Sequence, residues 1–421
     1  MNCTLQPLRR STGRTRSTGL APIVVAAIAV ALLGGFAAAP AALAQTAATP
    51  AEALDRLFTA ESYDEGWFSP LFLSQLPAAQ VELIVVQLRT GLGEYEGIEA
   101  RGGIRYDVVF SQGVIPAQIV LDEAGRITGL FFEPPRPKVS GLADAIAPFA
   151  ELPGQASVLV LGGMSELGAL NADTPLAVGS TFKLAVLAAL RQQIAAGERS
   201  WDDVVYLDEA WRSLPSGILQ DWPAGSPVTL HTLAALMISV SDNTATDALI
   251  HIVGRENVEA FALRNRPFLM TRELFVLKNP VNEDALNRWR AADEAGRRSV
   301  LAETATLPLP SPDIFTAPRA LDAEWYYSNR ELCGLMGMVY DLPLMSINPG
   351  VADPDDWSYV AYKGGSEPGV ISMTTLVIDH SGGAYCVSAT WNDPNSNVDE
   401  LRFFGLYSGL LEAVKGLAGA Q

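Results

Sequence analysis

Ser180 and Lys183 stand three positions apart at the start of an apolar segment, residues 184–194, whose pattern predicts a helix. On a helix this spacing places both side chains on one face. A serine hydroxyl is a weak nucleophile and needs a base, and a lysine serves as one when burial or a neighbouring cation lowers its pKa. The helix start also offers unbonded N–H groups that can hold an oxyanion. The pair predicts acyl transfer through Ser180, although a capping serine beside a solvated lysine has the same spacing.

Two further motifs carry groups that suit this chemistry. Ser241-Asp242-Asn243 lies between two apolar segments that predict helices, 230–238 and 245–253. Lys363-Gly364-Gly365-Ser366 follows a predicted strand, where glycines let a substrate backbone lie close and a lysine can hold an anion. Alone, the first motif is equally typical of a polar helix cap and the second of a hairpin rim. Together and in this order, the three motifs predict one acyl-transfer site.

The elements that must position these motifs form the second of two predicted domains. From near Gly141 a strand at 158–161, a mainly helical middle, strands at 359–363, 371–379 and 384–388, and a helix at 398–417 predict an α/β sandwich. Before it, a helical pattern at 50–92 and four strands at 94–100, 104–110, 115–121 and 127–132 predict a small α+β domain. The prolines at 134–137 predict a stiff linker that continues neither element. We therefore expect a small domain and linker at 45–137 and a hydrolase domain at 138–421.

The first 44 residues read as a secretory signal peptide. A basic start, an apolar run at 20–39 and the small-residue site Ala42-Leu43-Ala44 follow one another in the order that such leaders use. A retained membrane anchor is the alternative, and no other stretch is long and apolar enough to span a bilayer. We therefore expect a periplasmic or secreted protein.

The net charge of the chain, its histidines and its cysteines limit the classes of partner and cofactor that we expect. The chain carries 29 basic and 47 acidic residues, and removing the leader with its four arginines changes the net charge from −18 to −22. An acidic surface argues against nucleic acid and anionic membrane as partners. The histidines His231, His251 and His380 lack ligand spacing, so no metal or other cofactor is expected. Cys333 and Cys386 are predicted to be two separate buried thiols, because they fall on a helix and a strand far apart in sequence. The oligomeric state stays open.

Longer segments around these motifs show a resemblance to a known family. Met237–Asp247 and the ordered set of three motifs are similar to the class A β-lactamase and penicillin-binding-protein superfamily. Pro215–Gln220, Met270–Phe275 and Lys363–Val370 resemble a two-domain subgroup that includes the β-lactamase-like protein of clavulanic acid gene clusters. In that subgroup a small α+β domain of the nuclear-transport-factor type precedes the hydrolase domain. The resemblance is strong over the second domain and only architectural over the first.

The resemblance implies a role for each catalytic residue. Ser180 is the expected nucleophile and Lys183 its base, while Ser241 passes a proton to the leaving group. The oxyanion is expected to bind the backbone N–H groups of Ser180 and Ser366.

The same resemblance implies a set of substrate-binding residues. Asn243 would bond the substrate amide and orient the base, and Lys363 would hold a substrate carboxylate. Gly365 and Ser366 complete this set, because the strand that carries them is expected to lie along the substrate.

The sequence departs from the family pattern beside the third motif. Gly364 replaces a hydroxyl residue, a loss for which Ser366 is a possible substitute, and Glu367 is expected to add a negative charge that disfavours anionic substrates. The resemblance also implies a loop glutamate that activates the water for hydrolysis of the acyl-enzyme. Glu283 fits the family string, in what reads as a solvated helix, and Glu273 is a weaker candidate that we expect to form an ion pair with a neighbouring arginine.

Four aromatic residues are candidates for the cleft wall, although ordinary packing is the commoner role for each: Trp211, Trp222, Trp357 and Tyr362.

The sequence leaves three functions to be compared. The first is hydrolysis of a β-lactam or a related amide or ester through an acyl-enzyme. The second is an esterase or peptidase with little β-lactam turnover, and the third is a sensor that stays acylated. In each case the partner is a small-molecule substrate.

Overall fold

The computed structural model describes residues 49–419 except Gly91. The predicted signal peptide at 1–44 therefore lies outside the described residues. Within the described ranges, no helix has the length and apolar character needed to cross a membrane.

The first domain packs three helices against an antiparallel sheet. Its helices are α1 Pro50–Thr59, α2 Pro70–Gln75 and α3 Ala78–Leu88, and its strands are β1 Tyr95–Gly102, β2 Arg105–Phe110, β3 Gly113–Leu121, β4 Ile127–Phe132 and β5 Arg136–Pro137. Helix α1 begins at a capping box in which Thr49 and Glu52 satisfy each other's backbone N–H groups. Its apolar face buries Leu54 and Phe58 against the sheet. The α+β character expected from the change of hydrophobic period is present.

The proline-rich segment differs from the prediction. Arg136 and Pro137 pair with Val114 and Gly113 of β3, so the segment continues the first domain's sheet at its margin. Proline is tolerated there because an edge strand leaves some N–H positions unpaired. The prediction that 134–137 continues neither element is therefore wrong. Arg136 is buried and forms ion pairs with Glu133 and with Glu412 of the second domain.

The second domain begins after this segment. Its helices are α4 Leu142–Ile146, α5 Lys183–Ala195, α6 Leu230–Ser239, α7 Asn243–Val253, α8 Arg255–Glu259, α9 Thr271–Lys278, α10 Glu283–Ala291, α11 Glu294–Thr304, α12 Asn329–Val339 and α13 Glu400–Ala418. Its strands are β6 Gln155–Gly162, β7 Ser165–Leu170, β8 Leu176–Ala177, β9 Val204–Tyr206, β10 Pro227–Thr229, β11 Tyr326–Tyr327, β12 Tyr359–Glu367, β13 Val370–Ile378 and β14 Ala384–Asn392.

An antiparallel sheet in the order β12-β13-β14-β6-β7 forms the middle layer of this domain. One apolar cluster joins one face of the sheet to α13 through Phe403, Tyr407 and Leu410. A larger cluster on the other side contains α5, whose residues from Lys183 to Leu190 are all buried, together with α6, α7 and α12. The two layers of helices around a central sheet confirm the predicted α/β fold class.

A disulfide joins Cys333 on α12 to Cys386 on β14. The prediction of two separate thiols is wrong, because α12 lies across β13 and β14 and brings the two Cα atoms to 6.0 Å. The separation of 53 positions between the two cysteines hides this proximity in the sequence.

Candidate active site

Ser180 lies on a short 3₁₀ turn, Gly179–Phe182, that leads directly into α5. Two contacts fix the turn: Thr181 Oγ1 donates to the carbonyl of Ser372 at 3.2 Å, and the ring of Phe182 stacks on Trp325 with centroids 3.7 Å apart. Ser180 is partly buried, and the backbone N–H of Lys183 donates to its carbonyl. The expected one-turn spacing between Ser180 and Lys183 is therefore present.

The amine of Lys183 is fully buried and surrounded by oxygen atoms. It lies 2.6 Å from the carbonyl of Ser241, 3.0 Å from Ser241 Oγ and 2.7 Å from Asn243 Oδ1. Burial, and then the charge of Lys363, hold the pKa of Lys183 well below its usual value. A neutral amine with an available lone pair can act as a general base.

Ser241 occupies a conformation that few residues other than glycine adopt. Its φ is +56°, in the tight link between α6 and α7. Asp242 stabilises this link: its carboxylate caps α7 by accepting from Ala245 N–H at 2.8 Å, and it also accepts from the N–H groups of Ile218 and Leu219. In this conformation the Ser241 hydroxyl lies 3.0 Å from the buried amine of Lys183.

Lys363 also contacts the Ser241 hydroxyl. Its amine donates to Ser241 Oγ at 3.1 Å and also to the carbonyl of Gly364. Burial lowers the pKa of Lys363 to about 7. The Ser241 hydroxyl thus bridges the amines of Lys183 and Lys363.

Strand β12 passes directly against the turn that carries Ser180. A side chain at Gly365 would place its Cβ 2.6 Å from the backbone nitrogen of Thr181 and even closer to that of Ser180. A side chain at Gly179, which has φ +48°, would lie 3.2 Å from the nitrogen of Ser366. Only glycine permits this approach. The backbone nitrogens of Ser180 and Ser366 both lie where β12 contacts the turn.

The structure also explains Gly364. A Cβ at this position would collide with the hydroxyl oxygen of Tyr362, which lies under the strand. A hydroxyl-bearing side chain therefore has no room there while Tyr362 is present.

Comparison with known proteins matches the second domain to one family. Residues 141–302 match the family model described as the β-lactamase enzyme family. Over this segment the chain is similar to the β-lactamase enzyme family. The matched segment contains Ser180, Lys183, Ser241 and Asn243, while Lys363 lies beyond its end.

The solved structures to which the chain is similar include several β-lactamases. They include the enzyme of Sphaerobacter thermophilus DSM 20745, with 21% identity over 66% of this chain and 98% of that chain at a TM-score of 0.45. A class A representative from Bacteroides cellulosilyticus DSM 14838 has 15% identity over 66% and 97% at a TM-score of 0.45. A mutant of the chromosome-encoded enzyme of Vibrio parahaemolyticus has 13% identity over 64% and 98% at a TM-score of 0.44. No curated protein matches the chain.

In the β-lactamase-like domain, the two candidate glutamates are both engaged in ion pairs. Glu283 begins α10. Its carboxylate forms an ion pair with Arg319 and a second one, at 3.7 Å, with Arg290. Glu273 pairs with Arg255 at 2.6 Å and also accepts from the N–H of Met270 at the start of α9. The expected ion pair of Glu273 is present, and both carboxylates are bound to arginine.

The four candidate aromatic residues are distributed over the domain. Trp357 is buried, and Tyr362 partly buried, in the cluster between the sheet and α13, so neither forms a wall of the cleft. Trp211 stacks on His251, with ring centroids 6.2 Å apart. Trp222 is 37% exposed.

Sequence reasoning missed a buried polar network behind Asn243. Thr271 Oγ1 contacts Asp247 Oδ1 at 2.9 Å, Ser213 Oγ at 2.7 Å and the carbonyl of Asn243 at 3.3 Å. Burial raises the pKa of Asp247 to about 7. The network holds the first turn of α7, and with it Asn243, in place. Asp247 ends the family-like segment in the sequence, which is the signal that pointed to it.

Sequence reasoning also missed the partner of Glu367. Its carboxylate lies 2.7 Å from the amine of Lys278, the last residue of α9. This ion pair offsets the charge of Glu367, and the expected effect of Glu367 on anionic substrates stays a prediction. Nothing in the sequence marks Lys278 for this position.

Proposed function

We propose that this chain is an exported serine hydrolase in which Ser180 is acylated by a β-lactam or a related amide or ester. One observation carries the proposal. The buried amine of Lys183, one helical turn from Ser180, contacts Ser241 and Asn243, and Lys363 contacts the same Ser241 hydroxyl. This is the arrangement that the removal and delivery of a proton require.

The two carbonyl oxygens around Lys183 orient its amine. A neutral amine has two N–H bonds and one lone pair, and the oxygens of Ser241 and Asn243 can only accept. With both N–H bonds directed to these acceptors, the lone pair is left for a hydroxyl. The amine of Lys183 takes the proton of the Ser180 hydroxyl as Ser180 Oγ attacks the substrate carbonyl carbon.

The next steps follow from the same contacts. The carbonyl oxygen becomes an oxyanion that the N–H groups of Ser180 and Ser366 stabilise, each worth about 3 kcal/mol in comparable sites. The carbon–nitrogen or carbon–oxygen bond then breaks, and the leaving atom takes the proton of the Ser241 hydroxyl. Ser241 regains a proton from Lys183, which leaves that amine neutral. Water then hydrolyses the ester bond to Ser180 and regenerates the enzyme.

Mass spectrometry of the intact protein tests the nucleophile. After incubation with a penicillin or a reactive ester, the wild type should carry one adduct and Ser180→Ala none. Ser165→Ala is a matched control, because Ser165 is an exposed residue of β7 at the opposite edge of the sheet. An adduct on Ser180→Ala at the wild-type rate contradicts the assignment.

A second candidate is an esterase or peptidase with little β-lactam turnover. The engagement of Glu283 and Glu273 with arginines favours it, because neither carboxylate is free to activate water. The test is to compare turnover of nitrocefin with that of p-nitrophenyl esters. Slow nitrocefin hydrolysis with fast ester hydrolysis supports the second candidate, and a burst of one equivalent with both substrates indicates a sensor.

Export is the second part of the proposal. The basic, apolar and small-residue order of the first 44 residues motivates it. The disulfide between Cys333 and Cys386 supports it, because such bonds persist in oxidising compartments. Peptide mass mapping of the mature protein should find a first residue at Gln45. An intact Met1 in the recovered protein contradicts this part of the proposal.

A further inference from the structure

A buried cluster of one lysine and two carboxyl groups lies beside the site. The amine of Lys278 contacts both Glu324 and Glu367, the second at 2.7 Å. The side chains of Lys278 and Glu324 are 2% and 0% exposed, whereas that of Glu367 is 18% exposed. Glu367 is therefore the member of the cluster that solvent and ligands can reach.

The charges of the cluster balance when one carboxyl group stays protonated. Burial, followed by the charge of Glu367, raises the pKa of Glu324 well above its usual value. The two carboxylates hold Lys278 in its charged form by raising its pKa. The cluster then consists of a neutral Glu324 and an ion pair between Lys278 and Glu367.

The cluster touches the elements that position the nucleophile. Glu367 ends β12 and follows Ser366, whose N–H lies at the Ser180 turn. Glu324 precedes β11 by two positions, and β11 pairs with β8 just before that turn. Lys278 ends α9, and its carbonyl accepts from Arg319 at 2.7 Å. One amine thus joins α9, β11 and β12 at the side of the site.

We propose that Lys278 is a specificity-determining positioning residue, which cancels the charge of Glu367 and so lets the acylation site accept substrates that carry a carboxylate. This inference rests on the proposed function. Without the lysine, an exposed carboxylate would stand at the end of the strand that presents Lys363 to the substrate. That carboxylate would repel an anion that Lys363 attracts.

The distance along the strand sets the size of the effect. Glu367 follows Lys363 by four residues, which is about 13 Å at a strand rise of ~3.3 Å. At an effective dielectric constant between about 20 and 40, one unit charge at this distance changes binding roughly threefold to tenfold. Salt should weaken the effect, because the Debye length is about 8–10 Å at physiological ionic strength.

The test compares two esters that share the p-nitrophenolate leaving group. One has a neutral acyl chain, p-nitrophenyl butyrate, and the other ends in a carboxylate, mono-p-nitrophenyl glutarate. Lys278→Met should raise KM threefold to tenfold for the glutarate ester and leave KM for the butyrate ester and both kcat values unchanged. Lys278→Arg keeps the charge and should behave as the wild type.

Two double variants separate charge from stability. Lys278→Met with Glu324→Gln also removes the buried carboxyl group of the cluster. It should show the same change in KM for the glutarate ester as Lys278→Met alone. Lys278→Met with Glu367→Gln removes the exposed charge and should restore the wild-type KM. The matched control is Arg255→Met, which breaks the other ion pair of α9 and should leave the ratio of the two KM values unchanged.

Equal changes for both esters, or no restoration by Glu367→Gln, overturn this inference. If Ser180→Ala is inactive towards both esters in the same assay, the proposed function stands even then. Hydrolysis by Ser180→Ala at the wild-type rate overturns both.

Discussion

Replacing Asn243 with aspartate tests whether the neutral amine of Lys183 is the base. The two side chains have nearly the same shape, so the variant changes charge with little change in volume. Asn243 Oδ1 lies 2.7 Å from the Lys183 amine, and its Nδ2 donates to the carbonyl of Leu214 at 3.0 Å. The substitution puts a negative charge at the first contact and removes the donor from the second.

The geometry sets the expected size of the effect. Two unit charges 2.7 Å apart interact by roughly 6 kcal/mol at an effective dielectric constant of ~20. Burying a new carboxylate offsets several kcal/mol of this, which leaves about 3 kcal/mol. Because one pKa unit corresponds to about 1.4 kcal/mol, the pKa of Lys183 should rise by about two units. The neutral fraction of the amine, and with it the acylation rate, should therefore fall at pH values below the raised pKa, by up to about 100-fold in the acid limb.

The assay is the pH dependence of kcat/KM for a chromogenic ester. A raised pKa moves the acid limb of the profile to higher pH, so activity should recover as pH increases. Asn243→Ala provides the contrast, because loss of a substrate contact lowers the rate at every pH without moving the limb. Asn265→Asp is a second control, since Asn265 is also buried and donates to a backbone carbonyl. An Asn243→Asp profile that coincides with that of the wild type would refute Lys183 as the base.

Three further outcomes are expected. The preference of the wild type for an anionic over a neutral ester should fall as pH rises through about 7, because Lys363 loses its charge there, and the ratio of the two KM values against pH measures this. Gly365→Ala should lower kcat/KM at least 100-fold, because the new Cβ collides with the turn that carries Ser180. Gly337→Ala is the control, since a Cβ at Gly337 meets open space and should leave kcat/KM unchanged. Kinetics and thermal melts of both variants measure this. Cys386→Ser should lower the free energy of unfolding by about 4 kcal/mol, the loop-entropy value for this spacing, in urea titrations. An equal loss of activity in both glycine variants, or a Cys386→Ser midpoint that matches the wild type under oxidising conditions, would contradict these expectations.

Local patterns were enough to predict most of the fold. The strand at 127–132 agrees with the observed Ile127–Phe132, and the strands around β13 and β14 were expected to within a few residues. Period-two alternation and turn residues are properties of neighbouring positions, and a sequence shows them directly. The motifs at Ser180 and Ser241 were likewise readable, and the structure brings them together.

Contacts between segments that are distant in the sequence could not be predicted from it. The disulfide, the pairing of Arg136 with β3 and the amine of Lys278 beside Glu367 each join residues that no local pattern links. The ion pair of Glu367 was missed for the same reason, because its cation lies 89 positions away in the sequence. Electrostatic expectations at a rim depend on which charges the fold places beneath it.

The strand order β12-β13-β14-β6-β7 bears on how the enzyme is made. Strands β6 and β7 are synthesised early, yet β6 pairs with β14, which ends at Asn392. A ribosome must therefore synthesise the chain as far as β14 before the sheet can close. The contact between Lys363 and Ser241 therefore forms late, because β12 joins β6 only through β13 and β14.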